Sequence, residues 1–112
     1  MDEFHLLGRE GTRELATLAG LQPGDRVLDV GSGIGGPART FAAEFGCQVV
    51  GVDVAEDWVR AARLLTGHVG LADRVTFHHG NAMELPFADG SFDAATLEDV
   101  YMKTVAVRRR DQ

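Results

Sequence analysis

The sequence predicts an α/β fold, a doubly wound parallel sheet flanked by helices, and three observations point there. Short apolar runs rich in β-formers alternate with stretches of helical spacing, the order that builds strand–helix–strand crossovers. The first two runs are apolar along their length, as strands buried on both faces are. Between the first run and the following helix lies a glycine-rich turn, Gly31-Ser32-Gly33-Ile34-Gly35-Gly36. The 112 residues make one domain, at roughly 150 residues per domain. Such a chain can bury about two thirds of its unfolded surface, enough for a single core.

The elements follow in order. Residues 12–19 (TRELATLA) have helical spacing, with Leu15, Leu18 and Ala19 on one face and charges opposite. Gly20 and then Pro23-Gly24-Asp25 end this helix in a turn. Arg26-Val27-Leu28-Asp29-Val30 is the first strand, and the glycine turn follows at once. Pro37 opens a second helix over 38–45, since its missing N–H would be unpaired in a first turn anyway, and Gly46 stops it. Gln48-Val49-Val50-Gly51-Val52 is the second strand, with Asp53 at its end. A third helix over 56–65 turns Val59, Ala62 and Leu65 inward. Residues 74–79 alternate into a third strand with Val75 and Phe77 on one face. A loop over 81–91, with Pro86 and the Asp89-Gly90 turn pair, leads to a fourth strand over 92–97.

Composition narrows the classes. Hydrophobic residues at 45% and charged residues at 25% are those of an ordinary soluble globular protein, not of a disordered, collagen-like or disulfide-scaffold chain. A net charge of −6 argues against a nucleic-acid surface as the main function. Cys47 stands alone, so nothing requires an oxidising compartment. Met1-Asp2-Glu3-Phe4-His5 is acidic where a signal peptide would be basic. No apolar run approaches the ~20 residues that span a bilayer. The expectation is a cytoplasmic protein with neither nucleic acid nor membrane as its partner.

The chemistry is expected at the carboxyl ends of the first two strands. Gly31, Gly33 and Gly36 satisfy G-x-G-x-x-G, giving conformational freedom for the turn, room for a ligand's approach and close helix–strand packing. The helix N-terminus offers free N–H groups to an acceptor. Asp53 follows Gly36 by seventeen residues, where its carboxylate can accept from both ribose hydroxyls of a nucleoside. The alternative is a glycine turn that merely packs. Asp29, two positions before the first glycine, bears on which nucleoside. A dinucleotide would bring its pyrophosphate to this turn, and a fixed carboxylate beside it would repel that charge. A ligand with an ammonium and a sulfonium, as in S-adenosylmethionine, would be favoured. Asp29 can equally serve as a structural partner of the turn's N–H groups.

These residues carry a resemblance. Val27-Leu28-Asp29-Val30-Gly31-Ser32-Gly33-Ile34-Gly35-Gly36-Pro37-Ala38-Arg39 resembles the first motif of class I S-adenosylmethionine-dependent methyltransferases. It is most similar to their small-molecule branch, with the ubiquinone, sterol and tocopherol enzymes. Val50-Gly51-Val52-Asp53-Val54, Gly80-Asn81-Ala82-Met83-Glu84-Leu85-Pro86-Phe87 and Asp89-Gly90-Ser91-Phe92-Asp93 continue it, and Phe4-His5 through Gly8-Arg9-Glu10 is similar to the lead-in helix. The resemblance implies a Rossmann-like sheet, S-adenosyl-L-methionine as cofactor and methyl transfer to a small-molecule acceptor. By the same implication Asp29, Gly31 and Gly33 line the methionine part of the cofactor, and Ser32 is a further cofactor-binding residue. Asp53 holds the ribose and Val54 meets the adenine face. Asn81 accepts from the adenine amino group, the Ala82 N–H meets a ring nitrogen, and Leu97 and Glu98 lie at the reactive end.

The family's sheet runs 3-2-1-4-5-7-6, and this chain is expected to supply only its first four strands, as one cofactor-binding domain lacking the C-terminal half. Strand four would then be an unpaired edge, which a twofold homodimer across it would cover. The segment from Val100 to Val107 could instead add a strand, although in the family it would begin a helix, and Arg108-Arg109-Arg110 reads as a solvated tail. His78 and His79 are neighbours on a strand and point to opposite faces, so they form no simple metal pair. Cys47 lacks zinc-site spacing and reads as a small buried hydrophobe. Trp58 reads as packing rather than a substrate platform. Tyr101, Glu98 and His5 are the other acceptor-side candidates, and no catalytic base is identifiable. A non-catalytic S-adenosylmethionine-binding module is the alternative to an enzyme, an oligomeric remnant a further one, and a dinucleotide oxidoreductase a distant one.

Overall fold

The computed structural model describes residues 8–84, 90–98 and 104–109. Their elements, in chain order, are α1 (Gly8–Leu18), β1 (Arg26–Val30), α2 (Gly36–Phe45), β2 (Gln48–Asp53), α3 (Glu56–His68), β3 (Val75–His79), a short 3₁₀ turn (Ala82–Glu84), β4 (Ala94–Glu98) and β5 (Thr104–Arg108). The sheet order is β3-β2-β1-β4-β5. β1 lies between β2 and β4, all three parallel, and β3 runs parallel to β2.

The helices pack where right-handed crossovers put them. α2 lies on β2 and β3, α3 on β3 and β2, and α1 against α2 and β5. Alternate strand residues beneath them are buried: Val27, Val49, Val75, Phe77 and Ala94 join Ala16, Leu21, Phe41, Ala42, Val59 and Ala62 in one core. The other row of the sheet, Leu28, Val30, Val50 and Ala95, is half-buried, and Leu97 and Val107 are exposed. Two helix faces differ from expectation. On α1, Thr12, Leu15 and Ala16 face the core while Leu18 is 62% exposed. On α3, which runs one turn further than expected, Thr66 takes the inward position and Leu65 is 44% exposed. In both, the sheet beneath selects which side of an amphipathic stretch is buried, and spacing alone leaves that phase open by one residue.

The largest correction concerns strand number. Among the described residues the sheet has five strands rather than four, because the tail forms β5 and pairs antiparallel with β4, from Ala94 opposite Arg108 to Glu98 opposite Thr104. The edge of β4 is therefore taken within the chain, which removes the reason for a homodimer across it. Nor are the terminal arginines a solvated tail. Arg108 donates to both carboxylate oxygens of Asp25 at 2.7 and 3.2 Å and to the Gly20 carbonyl at 3.2 Å. Asp25 is buried, and the Arg108 hydrogen bonds hold its carboxyl below the usual carboxylate value against the opposing effect of burial. Arg109 bonds the Gly90 carbonyl at 2.9 Å, and its backbone N–H bonds the Asp93 carbonyl at 2.8 Å. Asp93 also exchanges two 2.8 Å bonds with the Arg26 backbone, so one residue joins the ends of β1, β4 and β5. Arg110 lies outside the described residues.

Candidate functional site

Four parallel strands end side by side, and the turns leaving β1, β2 and β3 make one candidate site beside the end of β4. Gly31, Gly33 and Gly35 have φ of 75°, 55° and 88°, left-handed values that cost L side chains energy. The Gly31 and Ser32 N–H groups both donate to the Val52 carbonyl, at 2.8 and 3.0 Å, lashing the turn to the end of β2. Gly33 N–H donates to Asp53 Oδ2 at 2.8 Å, and Ala55 N–H to Asp53 Oδ1 at 2.9 Å. Asp53 is thus fixed at the mouth of the turn, 7% exposed. A carboxylate has about four lone-pair sites, so two backbone bonds leave it able to accept two more.

The third strand is brought in by two bonds: Gly80 N–H to the Asp53 carbonyl at 2.9 Å, and His79 Nε2 with the Val54 carbonyl at 3.1 Å. Asn81 and Ala82 follow directly, exposed and half-buried, with the Asn81 carbonyl accepting from Glu84 N–H. Leu97 stands at the end of β4, opposite Val30 in register, and is half exposed. Val54 is exposed.

All nine residues singled out for a cofactor therefore gather at the carboxyl ends of β1 to β4, but at two depths. Gly31, Gly33, Asp53, Val54, Asn81, Ala82 and Leu97 border the surface. Asp29 and Ser32 lie beneath it. Asp29 is completely buried and accepts the Thr96 hydroxyl from β4 at 2.6 Å. Ser32 Oγ is buried without a hydrogen-bond partner among the described residues, and a Cβ at Gly51 would approach its Cβ to 3.0 Å. The side chain of Glu98, and His5, Pro86, Asp89 and Tyr101 altogether, lie outside the described residues.

The third glycine of the motif has a different role from the one expected. A Cβ on Gly36 would meet nothing within 4 Å. Close packing is made at Gly35 and Gly51 instead, both facing the Phe77 ring. A Cβ on Gly51 would stand 2.6 Å from Phe77 Cδ1, and one on Gly35 would overlap Phe77 Cζ. Phe77 thus crosses from β3 over β2 and supports the turn from below. Gly35 serves as N-cap of α2, with Gly36 and Pro37 in its first turn.

Two residues that the spacing did not mark also belong here. Trp58, in the first turn of α3, lies against the turn, since a Cβ on Gly33 would meet its Cε3 at 3.7 Å; the indole is 56% exposed, so packing accounts for less than half its surface. Arg39 reaches back from α2 to the Ile34 carbonyl at 2.6 Å and to Thr66 Oγ1 at 3.3 Å, and burial draws its pKa below the ordinary arginine value. Side chains folding back over several residues leave no periodic signal to find them by. Cys47 is buried as expected, and burial pushes its thiol up to about 11.

The residues fit an adenosyl ligand on three counts: glycine backbone where it would approach, a fixed carboxylate with spare acceptor capacity, and apolar surface at Val54 and Trp58 for a base.

Known proteins resemble this chain in sequence and fold. A 24-methylenesterol C-methyltransferase of rice (Oryza sativa subsp. japonica) is 41% identical, over 83% of this chain and 30% of that protein. The sterol 24-C-methyltransferase of Saccharomyces cerevisiae is 37% identical, over 83% and 27%. Among solved structures, phosphoethanolamine N-methyltransferase 2 of Haemonchus contortus, in complex with S-adenosyl-L-methionine, superposes with a TM-score of 0.76 at 36% identity, over 82% of this chain and 21% of that one. The [4+2]-cyclase SpnF gives 0.71 at 39% identity, over 75% and 31%. The chain thus spans no more than about a third of the length of these relatives. From the second residue of β1 onward, residues 27–111 match the family model described as a methyltransferase domain, and the chain belongs to that family.

Proposed function

We propose that this chain binds S-adenosyl-L-methionine at the glycine turn and serves methyl transfer to a small-molecule acceptor. The observation that carries the reading is Asp53, held by two backbone N–H groups at the mouth of the turn with lone pairs to spare. A ribose diol presents two hydroxyl donors to such a carboxylate, giving charge-assisted bonds. Val54 and Trp58 offer apolar surface to the adenine, the Asn81 carboxamide an acceptor for its amino group, and the Ala82 N–H a donor for a ring nitrogen. Asp29 acts from beneath the turn, held by Thr96. Leu97 borders the reactive end. The bound cofactor would supply an electrophilic methyl group on sulfonium, so the protein's contribution is mainly positioning. Methyltransferase relatives acting on sterols and on phosphoethanolamine support a small-molecule acceptor, and a net charge of −6 supports a partner other than nucleic acid. A cytoplasmic location fits the single buried cysteine.

A second reading keeps the site and drops the transfer: a non-catalytic binding module. The presence of a [4+2]-cyclase among the similar structures favours keeping it, since this fold does not by itself fix methyl transfer as the activity. Calorimetric titration with S-adenosylmethionine, with NAD as control, tests what the two readings share. Saturable binding of the first alone is expected, and binding of NAD alone would reassign the site to a dinucleotide. Incubation with methyl-labelled cofactor and a panel of small acceptors separates the two. Transfer of label supports the enzyme, and tight binding without transfer supports the module.

A further inference from the structure

The turn contains three left-handed glycines within five residues, a backbone that loses much conformational freedom when it orders. What fixes its ends is plain: the Val52 carbonyl holds Gly31 and Ser32, and Asp53 holds Gly33. Its far side is different. The Ile34 side chain is 52% exposed and offers little packing as an anchor. The Ile34 carbonyl, however, accepts from Arg39 Nη1 at 2.6 Å. The same nitrogen, with its second hydrogen, reaches Thr66 Oγ1 at 3.3 Å, and Thr66 is buried on α3. A Cβ at Gly35 would come within 2.8 Å of this guanidinium nitrogen, so Arg39 lies directly under the turn beside the Phe77 ring.

We propose that Arg39 is a positioning residue of the cofactor site, bracing the Ile34–Gly35 side of the glycine turn against α3. The inference rests on the cofactor reading for its ligand but on geometry alone for the brace. Phe77 gives the turn a floor with no directional hold. Arg39 adds direction, because a carbonyl bonded to a half-buried guanidinium is fixed in both height and rotation. The brace also couples the two sides of the site: α3 presents Trp58 to Gly33 near its start and Thr66 to Arg39 near its end. Losing it would loosen the Ile34–Gly35 side of the turn, while the Ala55 N–H, outside the turn, still holds Asp53. The part of the ligand that meets the turn would then suffer most, and the part that meets Asp53 least.

The test uses Arg39→Met, which keeps much of the apolar stem, and Arg39→Lys, which can restore one of the two bonds. Trp58 is the only tryptophan, so its fluorescence follows both S-adenosylhomocysteine and adenosine binding. Arg39→Met is expected to weaken S-adenosylhomocysteine about tenfold and adenosine less than threefold, with Arg39→Lys between wild type and Met. It is also expected to shift the amide resonances of Gly33 and Gly35 in the ligand-free protein while those of β3 stay in place. Equal losses for both ligands, or unmoved glycine amides, would overturn the proposal. Failure of the wild type to bind S-adenosylhomocysteine would sink the cofactor reading instead, and the ligand-free amide shifts would still decide the brace. Should Arg39→Met not fold, Thr66→Val removes the same anchor at its other end and must shift the same amides.

Discussion

The two sides of the sheet are held by different physics. On the β3-β2-β1 side, apolar packing sets the geometry: Phe77 fits the space left by Gly35 and Gly51, and the core residues of α2 and α3 close over it. On the β4-β5 side, a short antiparallel strand is fastened by charge. Arg108 binds Asp25, and Arg109 binds Asp93 and Gly90. The candidate site lies mainly on the packed side, where positions are fixed most tightly. A site needing sub-ångström placement draws on rigid packing, whereas an edge strand needs only to be kept in register.

That contrast orders the effects of substitution. The largest loss is expected for Gly35→Ala, which meets both the Phe77 ring and a left-handed backbone. Overpacking typically costs about 1–3 kcal/mol and the backbone about 1–2 kcal/mol more. Chemical denaturation measures it, and a loss under about 1 kcal/mol would mean that Phe77 gives way freely. In the cofactor site, Asp53→Ala is expected to weaken S-adenosylmethionine by roughly 1.5–3 kcal/mol, the scale of charged hydrogen bonds. Unchanged affinity in a folded variant would refute the ribose assignment.

On the charged side the effects are smaller. Arg108→Met leaves the buried Asp25 without its ion pair, and the partial exposure of Arg108 moderates the cost to about 1–2 kcal/mol. It also changes the pH dependence. Asp25 has a folded pKa below its ordinary value near 3.8, so its contribution is complete above that value and lost as pH falls through the folded pKa. Melting temperatures taken from pH 6 down to pH 3 should fall more steeply below about pH 4 in wild type than in Arg108→Met. Identical slopes would show that the pair does not stabilise the fold. The smallest effect is expected at the Arg13–Glu44 pair, 2.6 Å long but largely exposed: Glu44→Gln should cost under about 1 kcal/mol.

The same contrast governs what could be read from the residues alone. The parallel core, the strand–turn–helix around Gly31 and the place of Asp53 were legible, because each follows from local composition and spacing. Asp29, Gly31, Ser32, Gly33, Asp53, Val54, Asn81, Ala82 and Leu97 do come to one end of the sheet. What escaped depends on contacts between distant segments. β5 was legible only as an alternative, because its pairing with β4 and the bond from Arg108 to Asp25, eighty-three residues away, are distant contacts. Gly35, rather than Gly36, makes the close contact because Phe77 arrives from another strand. Neither leaves a periodic pattern. Arg39 escaped similarly, and Trp58 was legible as packing without the turn it packs against, since both depend on which turn they touch.

The central claim is that the glycine turn and Asp53 form one cofactor site. Titration of isotopically labelled protein with S-adenosylhomocysteine, followed through its amide resonances, tests this most directly. The account predicts saturable shifts concentrated at Gly31, Gly33, Ala55 and Ala82, with β5 little changed. Saturable binding whose shifts fall on β4 and β5 and spare Gly33 and Ala55 would contradict it.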